Sequence, residues 1–281
     1  MRLITWNIQW GRGVDGRVDL PRVASHVRAL GDFDVMCFQE VADNYPDLGG
    51  NDDANQFAIL AALFPGYAAL EGIALDVGGG TKRKRFGNMI LTRLPVHSVR
   101  RHALPWPADP QMDSMPRMAI EAVVQAPFGP LRVTTTHLEY YSDVQRMAQA
   151  RWLREMHAEA CERALHGKNV PPGDSNATFK PTPQPTAAIL TGDFNFPPEA
   201  PEHPAIQEPL AGGAPRYRDA WRLVHGDRPH DPTFCLHDHS WKPTPYCCDF
   251  VFVSEGLAVH SIKIDGATQA SDHQPVMLDI A

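Results

Sequence analysis

Five places along the chain carry side chains suited to phosphate-ester chemistry. Glu40 closes the apolar run Asp34-Val35-Met36-Cys37-Phe38-Gln39, so a carboxylate stands at the exit of a buried strand, and Asn7 likewise follows the run from Arg2 to Trp6. Gly192-Asp193-Phe194-Asn195 follows Ala188-Ile189-Leu190-Thr191, placing a glycine turn and two polar side chains at one strand exit. Ser271-Asp272-His273 precedes the last apolar strand, and Asp249 opens the strand Phe250-Val251-Phe252-Val253. Hydrolysing a phosphate ester requires charge neutralisation at the phosphoryl oxygens, a positioned water and help for the departing alkoxide. Magnesium meets the first need with one or two carboxylates, because it takes oxygen ligands and retains several waters, and Glu40 is the first candidate ligand. A hydrogen bond to Asp249 would orient the His273 ring and raise its proton affinity, suiting it to general-base work or to stabilising charge on the phosphoryl group. Taken singly, Glu40 reads more readily as a solvated strand-end glutamate and an Asp–His pair as structural, while Gly192 to Asn195 reads equally well as a turn.

These residues need strands to carry them. Eleven β-rich runs fit: Arg2 to Trp6, Val35 to Gln39, Tyr67 to Leu75, Asn88 to Thr92, Val96 to Ala103, Met118 to Gln125, Leu131 to His137, Ala187 to Thr191, Asp249 to Val253, Ala258 to Ile264 and Val276 to Ile280. Strongly twisted open sheets rarely exceed about ten strands without splitting, so two packed sheets are expected. Helices are predicted at Asp19 to Leu30, Asp53 to Leu63 and Asp143 to His166. The last is read as amphipathic, with Val144, Met147, Ala148, Trp152, Met156 and Ala160 on its apolar side and Arg146, Arg154, Glu155 and Glu162 in water. Pro127-Phe128-Gly129-Pro130 joins two runs as a hairpin, which marks antiparallel pairing and a mixed α/β class. Residues 167–186 and 197–215, rich in proline and small polar residues, read as two long loops flanking the strand that leads to Asp193.

With 281 residues, 43% hydrophobic and 21% charged, the chain has the composition of a soluble globular protein and the length for one large domain. A formal charge of -7 is not that of a non-specific nucleic-acid binder. Five cysteines, odd in number and widely spaced, do not form a disulfide framework, and no apolar run has signal-peptide or membrane-span length. A monomeric cytoplasmic protein is expected.

The ordered set Asn7, Gln39-Glu40, Gly87-Asn88, His137-Leu138-Glu139, Gly192-Asp193-Phe194-Asn195, Asp249 and Ser271-Asp272-His273 resembles the endonuclease/exonuclease/phosphatase superfamily along essentially the whole chain. The resemblance implies a single domain over residues 1–281 with the DNase I-like fold. That fold is a four-layer α/β sandwich, two mostly antiparallel mixed sheets face to face with helices outside, and its site lies where strand ends converge. It further implies Glu40 as principal ligand of Mg²⁺, with Mn²⁺ a substitute, and Asn7 and Asp272 close to the metal. Asp193 is similar to the residue that orients or deprotonates the attacking water, and Asn195 to one that holds a phosphoryl oxygen. His273, partnered by Asp249, resembles the imidazole that contacts the scissile phosphate, and His137 a further phosphate-contacting histidine of the nuclease branch.

Ser114-Met115-Pro116-Arg117, Thr136-His137-Leu138-Glu139 and Gln145-Arg146 are most similar to the branch of tyrosyl-DNA phosphodiesterase 2 and exonuclease III-like bacterial proteins. Arg117 is a candidate phosphate clamp and Asn88 a candidate substrate contact. Lys82-Arg83-Lys84-Arg85 reads as a polyanion-binding flank or as a solvated hairpin tip. Trp106, Tyr140, Tyr141 and Trp241 would stack bases if they line the cleft. Trp241 to Asp249 is partly similar to inositol polyphosphate 5-phosphatases, but Phe250 and Pro197 stand where those carry arginine. Cys235, His237, His239, Cys247 and Cys248 match no standard zinc spacing and read as an ordinary loop. The expected reaction is phosphodiester cleavage in DNA or at a nucleic-acid end. Hydrolysis of a small-molecule or lipid phosphoester, and non-catalytic binding of RNA or protein, are the open alternatives.

Overall fold

The computed structural model describes residues 1–166, 178 and 181–281. Twelve strands form two six-stranded sheets. The first has the order β11-β12-β1-β2-β4-β3, built from β11 (Val259–Ile264), β12 (Val276–Ile280), β1 (Arg2–Asn7), β2 (Val35–Asp43), β4 (Lys82–Thr92) and β3 (Ala68–Gly79). The second has the order β5-β6-β7-β8-β10-β9, from β5 (Val96–Ala103), β6 (Met118–Ala126), β7 (Gly129–His137), β8 (Ala188–Asp193), β10 (Asp249–Ser254) and β9 (Tyr217–Asp219). Each sheet has one parallel pair, β1 with β2 and β7 with β8, and is otherwise antiparallel.

The two-residue side-chain period of strands builds the layers. Leu3, Val35, Ile120, Val133, Ile189 and Val251 fill the core between the sheets, while their neighbours Ile4, Met36 and Leu190 point outward under helices. Helix α1 (Leu20–Leu30) starts where the Asp19 side chain accepts from Arg22 N and Pro21 occupies the first turn. It buries Val23, Ala24 and Val27 against Ile4 and Trp6, alongside α2 (Gln56–Leu63). Helix α3 (Asp143–His166) covers the other sheet with α4 (Glu202–Ile206), and α5 (Ala220–His225) packs on β11 and β10. This is the four-layer sandwich expected, with no cysteine in a disulfide and, among the described residues, no helix long and apolar enough to cross a membrane.

Several boundaries differ from expectation. Strands β3 and β4 extend into one long hairpin, so Lys82 to Arg85 lie in a strand. β9, α4 and α5 were not expected: three residues of strand and one or two turns of helix are too short to show a period. Helix α4 interrupts the expected loop 197–215, and most of 167–186 lies outside the described residues. The buried face of α3 is also rotated from the one read in the sequence. It carries Gln145, Arg146, Gln149, Leu153, Met156 and His157, and Val144 is exposed. Polar groups take that face because they bind loop backbone: Gln145 Nε2 donates to Pro107 O (2.9 Å), Gln149 Oε1 accepts from Glu139 N (2.9 Å), and Arg146 donates to Tyr140 O (2.9 Å).

Candidate active site

The ends of β1, β7 and β8, the start of β10, the middle of β2 and the segment before β12 meet around a cavity of about 370 Å³. Strand register does most of the positioning. His137 lies opposite Asp193 in the parallel β7–β8 pair, and Asp249 opposite Asp193 in the antiparallel β10–β8 pair. Gly192 allows the approach: its φ is 137°, and a Cβ there would lie 1.9 Å from the Thr136 carbonyl oxygen.

Glu40 is not at a strand exit. β2 continues to Asp43, and Glu40 sits in a bulge between Phe38 and Val41, with φ 59°. A bulge turns one side chain out of the alternation, and here it aims a carboxylate into the cavity. Four of the six non-glycine residues with positive φ among the described residues, Gln9, Trp10, Glu40 and Asn195, line this cavity. Such conformations cost about 1–3 kcal/mol each and persist where the surroundings enforce them.

Asn7 is wholly buried beneath the cavity and ties two acids together: Nδ2 donates to Glu40 Oε1 (3.1 Å) and to Asp193 Oδ2 (2.9 Å). Asp193 Oδ1 accepts from Asn195 N (2.9 Å), and its Oδ2 lies 3.4 Å from His137 Nε2 and 3.7 Å from His273 Nε2. Asn195 Nδ2 gives one hydrogen to Leu138 O (2.9 Å) and keeps a second. His273 Nδ1 is 2.8 Å from Asp249 Oδ2, its carbonyl accepts from Trp6 Nε1 (2.9 Å), and Phe234 lies over its ring at 4.4 Å. Asp272 accepts from Gln9 Nε2 at 2.6 Å and from Ser271 Oγ at 3.3 Å.

Burial and neighbouring charge divide these groups. Burial, with the Asp272 charge behind it, pushes the Glu40 carboxyl up to about 7. Burial also raises Asp272 and Asp249. It acts in the same sense on Asp193, but the cationic His273 and the hydrogen bonds from Asn7 Nδ2 and Asn195 N outweigh it and hold that carboxyl below its ordinary range. His137 is driven down to about 3 by burial and by Arg117, so its ring is neutral. For His273 burial opposes the charge, yet Asp249 and Asp193 lift it well above 6.5. The site thus pairs an ionised acid with a cationic imidazole and a neutral one.

The structure gathers Asn7, Glu40, His137, Asp193, Asn195, Asp249, Asp272 and His273 in one network, and Arg117 lines the cavity 3.3 Å from Glu139 Oε2. Asn88 is not brought there. On β4 it is 2% exposed and its amide donates to Met118 O at 3.2 Å, because strand alternation turns it between the sheets. Sequence reading missed Gln9 and Phe234. Gln9 carried one signal, a polar residue two places after Asn7 at a strand exit; Phe234 carried none. Of the aromatics, Tyr140, Tyr141 and Trp241 line the cavity and Trp106 does not. The basic run is spent on acids: Lys82 on Asp53, Arg83 on Asp76, Lys84 on Asp47, and Arg85 on Asp43.

Glu40 and Asp272 supply the hard carboxylate oxygens that a small divalent cation takes. The fit is electrostatic as well: burial, and after it the Asp272 charge, keeps Glu40 partly protonated, and a cation held by both carboxylates would relieve the repulsion between them. Ligand atoms of Glu40, His137 and Asp193 also lie within 4.8 Å of one another, as do those of Asp193, Cys248 and His273. Burial raises the Cys248 thiol well above 9.0, so it is protonated in the metal-free site, and His237 Nε2 lies 2.9 Å from Gly266 O.

A two-sheet sandwich whose strand ends pool carboxylates, amides and imidazoles around one cavity is a phosphoesterase-type scaffold. The chain belongs to the Endonuclease/Exonuclease/phosphatase family, whose model matches residues 4–273; it is a hydrolase of the phosphoesterase and nuclease type, and the family is divalent-metal dependent. Among curated proteins none matches by sequence. Solved structures share the fold. An endonuclease/exonuclease/phosphatase from Beutenbergia cavernae is 24% identical with a TM-score of 0.65, over 100% of this chain and 71% of that one. A Bacteroides thetaiotaomicron mannosyl-6-phosphatase is 19% identical with a TM-score of 0.65, over 100% and 99%. Truncated Caenorhabditis elegans TDP2 is 18% identical with a TM-score of 0.64, over 99% and 95%.

Proposed function

We propose that the chain is a Mg²⁺-dependent phosphodiesterase of compact substrates that carry a flat or apolar group next to the phosphate. The observation that carries the reading is the meeting of ionised Asp193, cationic His273 and the Glu40–Asp272 pair on the surface of one cavity walled by Trp10, Tyr45, Phe86, Tyr140 and Trp241. Glu40 and Asp272, with Asn7 supporting Glu40, would hold a divalent cation, which would supply Lewis-acid charge at a phosphoryl oxygen. Asp193, fixed by Asn7 Nδ2 and Asn195 N, orients the attacking water and takes its proton. His273 presents Nε2 to the phosphoryl group, with Nδ1 locked on Asp249. Asn195, neutral His137 and Arg117 add donors as negative charge grows on phosphorus oxygens.

Size and charge support a nucleotide end or an aryl ester over a long duplex. The -7 chain has no unpaired cation in its basic run, and tracking a duplex backbone depends on free lysines and arginines. The test is a panel of bis(p-nitrophenyl) phosphate, 5′-tyrosyl, abasic, single- and double-stranded DNA, RNA, inositol phosphates and phospholipids with Mg²⁺ or Mn²⁺. Aryl or tyrosyl esters should turn over best, and Asp193→Asn and His273→Ala should each lose at least about a hundredfold in kcat. Full activity in Asp193→Asn would overturn the mechanism. No turnover of any ester alongside tight RNA or protein binding would replace it with a non-catalytic role.

A further inference from the structure

A second buried polar cluster adjoins Asp249. His203 on α4 and His230 after α5 both reach Asp219 Oδ2, with Nε2 atoms at 3.0 Å and 2.7 Å. The three ligand atoms lie close enough to hold a metal ion, but the surrounding amide argues for hydrogen bonds. Gln207 Oε1 accepts from Asp219 N (2.9 Å), so its Nε2 faces His203 Nδ1 (3.2 Å) as a donor. That leaves the His203 proton on Nε2, aimed at Asp219, whereas a ligating imidazole needs the opposite tautomer. Asp219 is accordingly a charged acceptor. Burial works against its ionisation, and the hydrogen bonds from His203 and His230 outweigh it and hold its carboxyl far below the ordinary range.

Two atoms near this cluster lack partners among the described residues: His230 Nδ1 and Asp249 Oδ1, both buried. Both side chains, with Asp219, Cys247, Val251 and Val276, line the same internal cavity of about 10 Å³. That is about the space of a single water, and between apolar walls that include Phe250, Ile262 and Ile264 the two unpartnered atoms offer it two polar partners. Asp249 Oδ2 is already committed to His273 Nδ1, so Oδ1 is the remaining handle on the carboxylate. Thr233 lies near enough to favour charged Asp249, but its Oγ1 accepts from Cys248 N (3.0 Å) and Asp249 N (3.1 Å) and makes no bond of normal geometry to Oδ1. The His230 ring is held between Trp221, stacked at 5.5 Å, and Phe250, edge-on at 5.4 Å.

We propose that one buried water bridges His230 Nδ1 and Asp249 Oδ1, making His230 a positioning residue that fixes the Asp249 carboxylate and, through it, the His273 ring. The chain runs Asp219, His230, water, Asp249, His273, and it adds a hold on Oδ1 of a carboxylate whose other bonds, to His273 Nδ1 (2.8 Å) and from Cys248 Sγ (3.6 Å), both fall on Oδ2. The inference rests on the role given to His273 above, but the water is detectable without any activity.

A high-resolution crystal structure of the unliganded wild-type protein should show one water within hydrogen-bonding distance of both atoms; a dry cavity overturns the proposal. Three variants then separate bridging from mere support of Asp219. Asparagine places a polar atom near the position of Nδ1, glutamine near that of Nε2, and phenylalanine keeps only the ring. His230→Phe and His230→Gln should lower kcat about tenfold with KM within about twofold, the scale of a small misplacement of a catalytic group. His230→Asn should recover most of that loss. The low-field ¹H resonance of His273 Nδ1–H should move in the first two and stay near its wild-type position in the third. An active glutamine variant beside an impaired asparagine one, or three indistinguishable variants, would overturn the bridge. A wild-type protein without phosphoesterase activity would refute the proposed reaction while leaving the water and the NMR signal to decide the bridge.

Discussion

Raising the pH from about 6 to about 8 should tighten Mg²⁺ binding about tenfold, with most of the gain below neutrality, because Glu40 must lose its proton to bind the cation. Glu40 titrates at about 7. About one tenth of it is ionised at pH 6 and about nine tenths at pH 8, a ratio near ten, or about 1.4 kcal/mol of binding free energy. The sign follows from the raised value: affinity climbs as pH rises towards 7 and flattens above. Calorimetric titration in buffers of different ionisation enthalpy should count about 0.9 proton released per Mg²⁺ at pH 6 and about 0.1 at pH 8. The same burial acts on stability. A carboxyl raised from 4.5 to about 7 stabilises the fold relative to its ionised form at low pH, and that contribution is lost as pH rises through 7. Glu40→Gln should therefore make the metal-free protein more stable at about pH 8. The full shift would be worth about 3 kcal/mol, reduced towards about 1–2 because the side chain keeps 18% of its exposure. Asn7 Nδ2 retains an acceptor in that variant. Mg²⁺ affinity that is flat between these pH values, or a Glu40→Gln protein less stable than its parent without metal, would refute the reasoning.

Two further outcomes follow from the site walls and the sheet–helix interface. Tyr140 packs edge-on against Tyr141 at 4.8 Å and Trp241 at 6.2 Å, so Tyr140→Ala should raise KM for aryl phosphodiesters by about fivefold or more while leaving alkyl diesters nearly unchanged; equal losses for both classes would argue against a stacking wall. His157 is wholly buried against Arg132 and is pushed down to about 3 by burial and by that guanidinium. The unfolded chain binds the proton below about pH 6.5 and the folded one does not, so the His157 contribution to stability should fall by about 1.4 kcal/mol per pH unit on acidification, about 2 kcal/mol by pH 5; urea titrations in which the wild type and a His157→Gln variant show the same pH slope there would refute it.

What the sequence displayed and what it concealed divide along a physical line. Strand-end polar residues were legible, because an apolar run that stops at Asn7, at His137 or at Asp193 marks where a chain leaves the core, and parallel register then sets His137 beside Asp193. The fold class was legible for the same reason, in eleven runs too many for one sheet. Glu40 was read at a strand exit, but the bulge that aims it depends on how β4 pairs across Phe38 and Val41, and no local pattern encodes that pairing. Asn88 shows the converse error. Its place in the ordered motif pointed to the site, while strand alternation turned it between the sheets onto Met118 O. Helix α3 misled because apolar periodicity assumes that buried means apolar. Gln145, Arg146 and Gln149 are buried to satisfy loop carbonyls and amides, and those partners arrive only with the tertiary fold. The basic run makes the same point about charge. Asp43, Asp47 and Asp53 reach it from β2 and the segment that follows, and Asp76 from the other strand of its own hairpin. Four adjacent cations in sequence thus present little net field to a ligand, which is why the cavity's aromatic walls, rather than its flanking charge, carry the substrate reading.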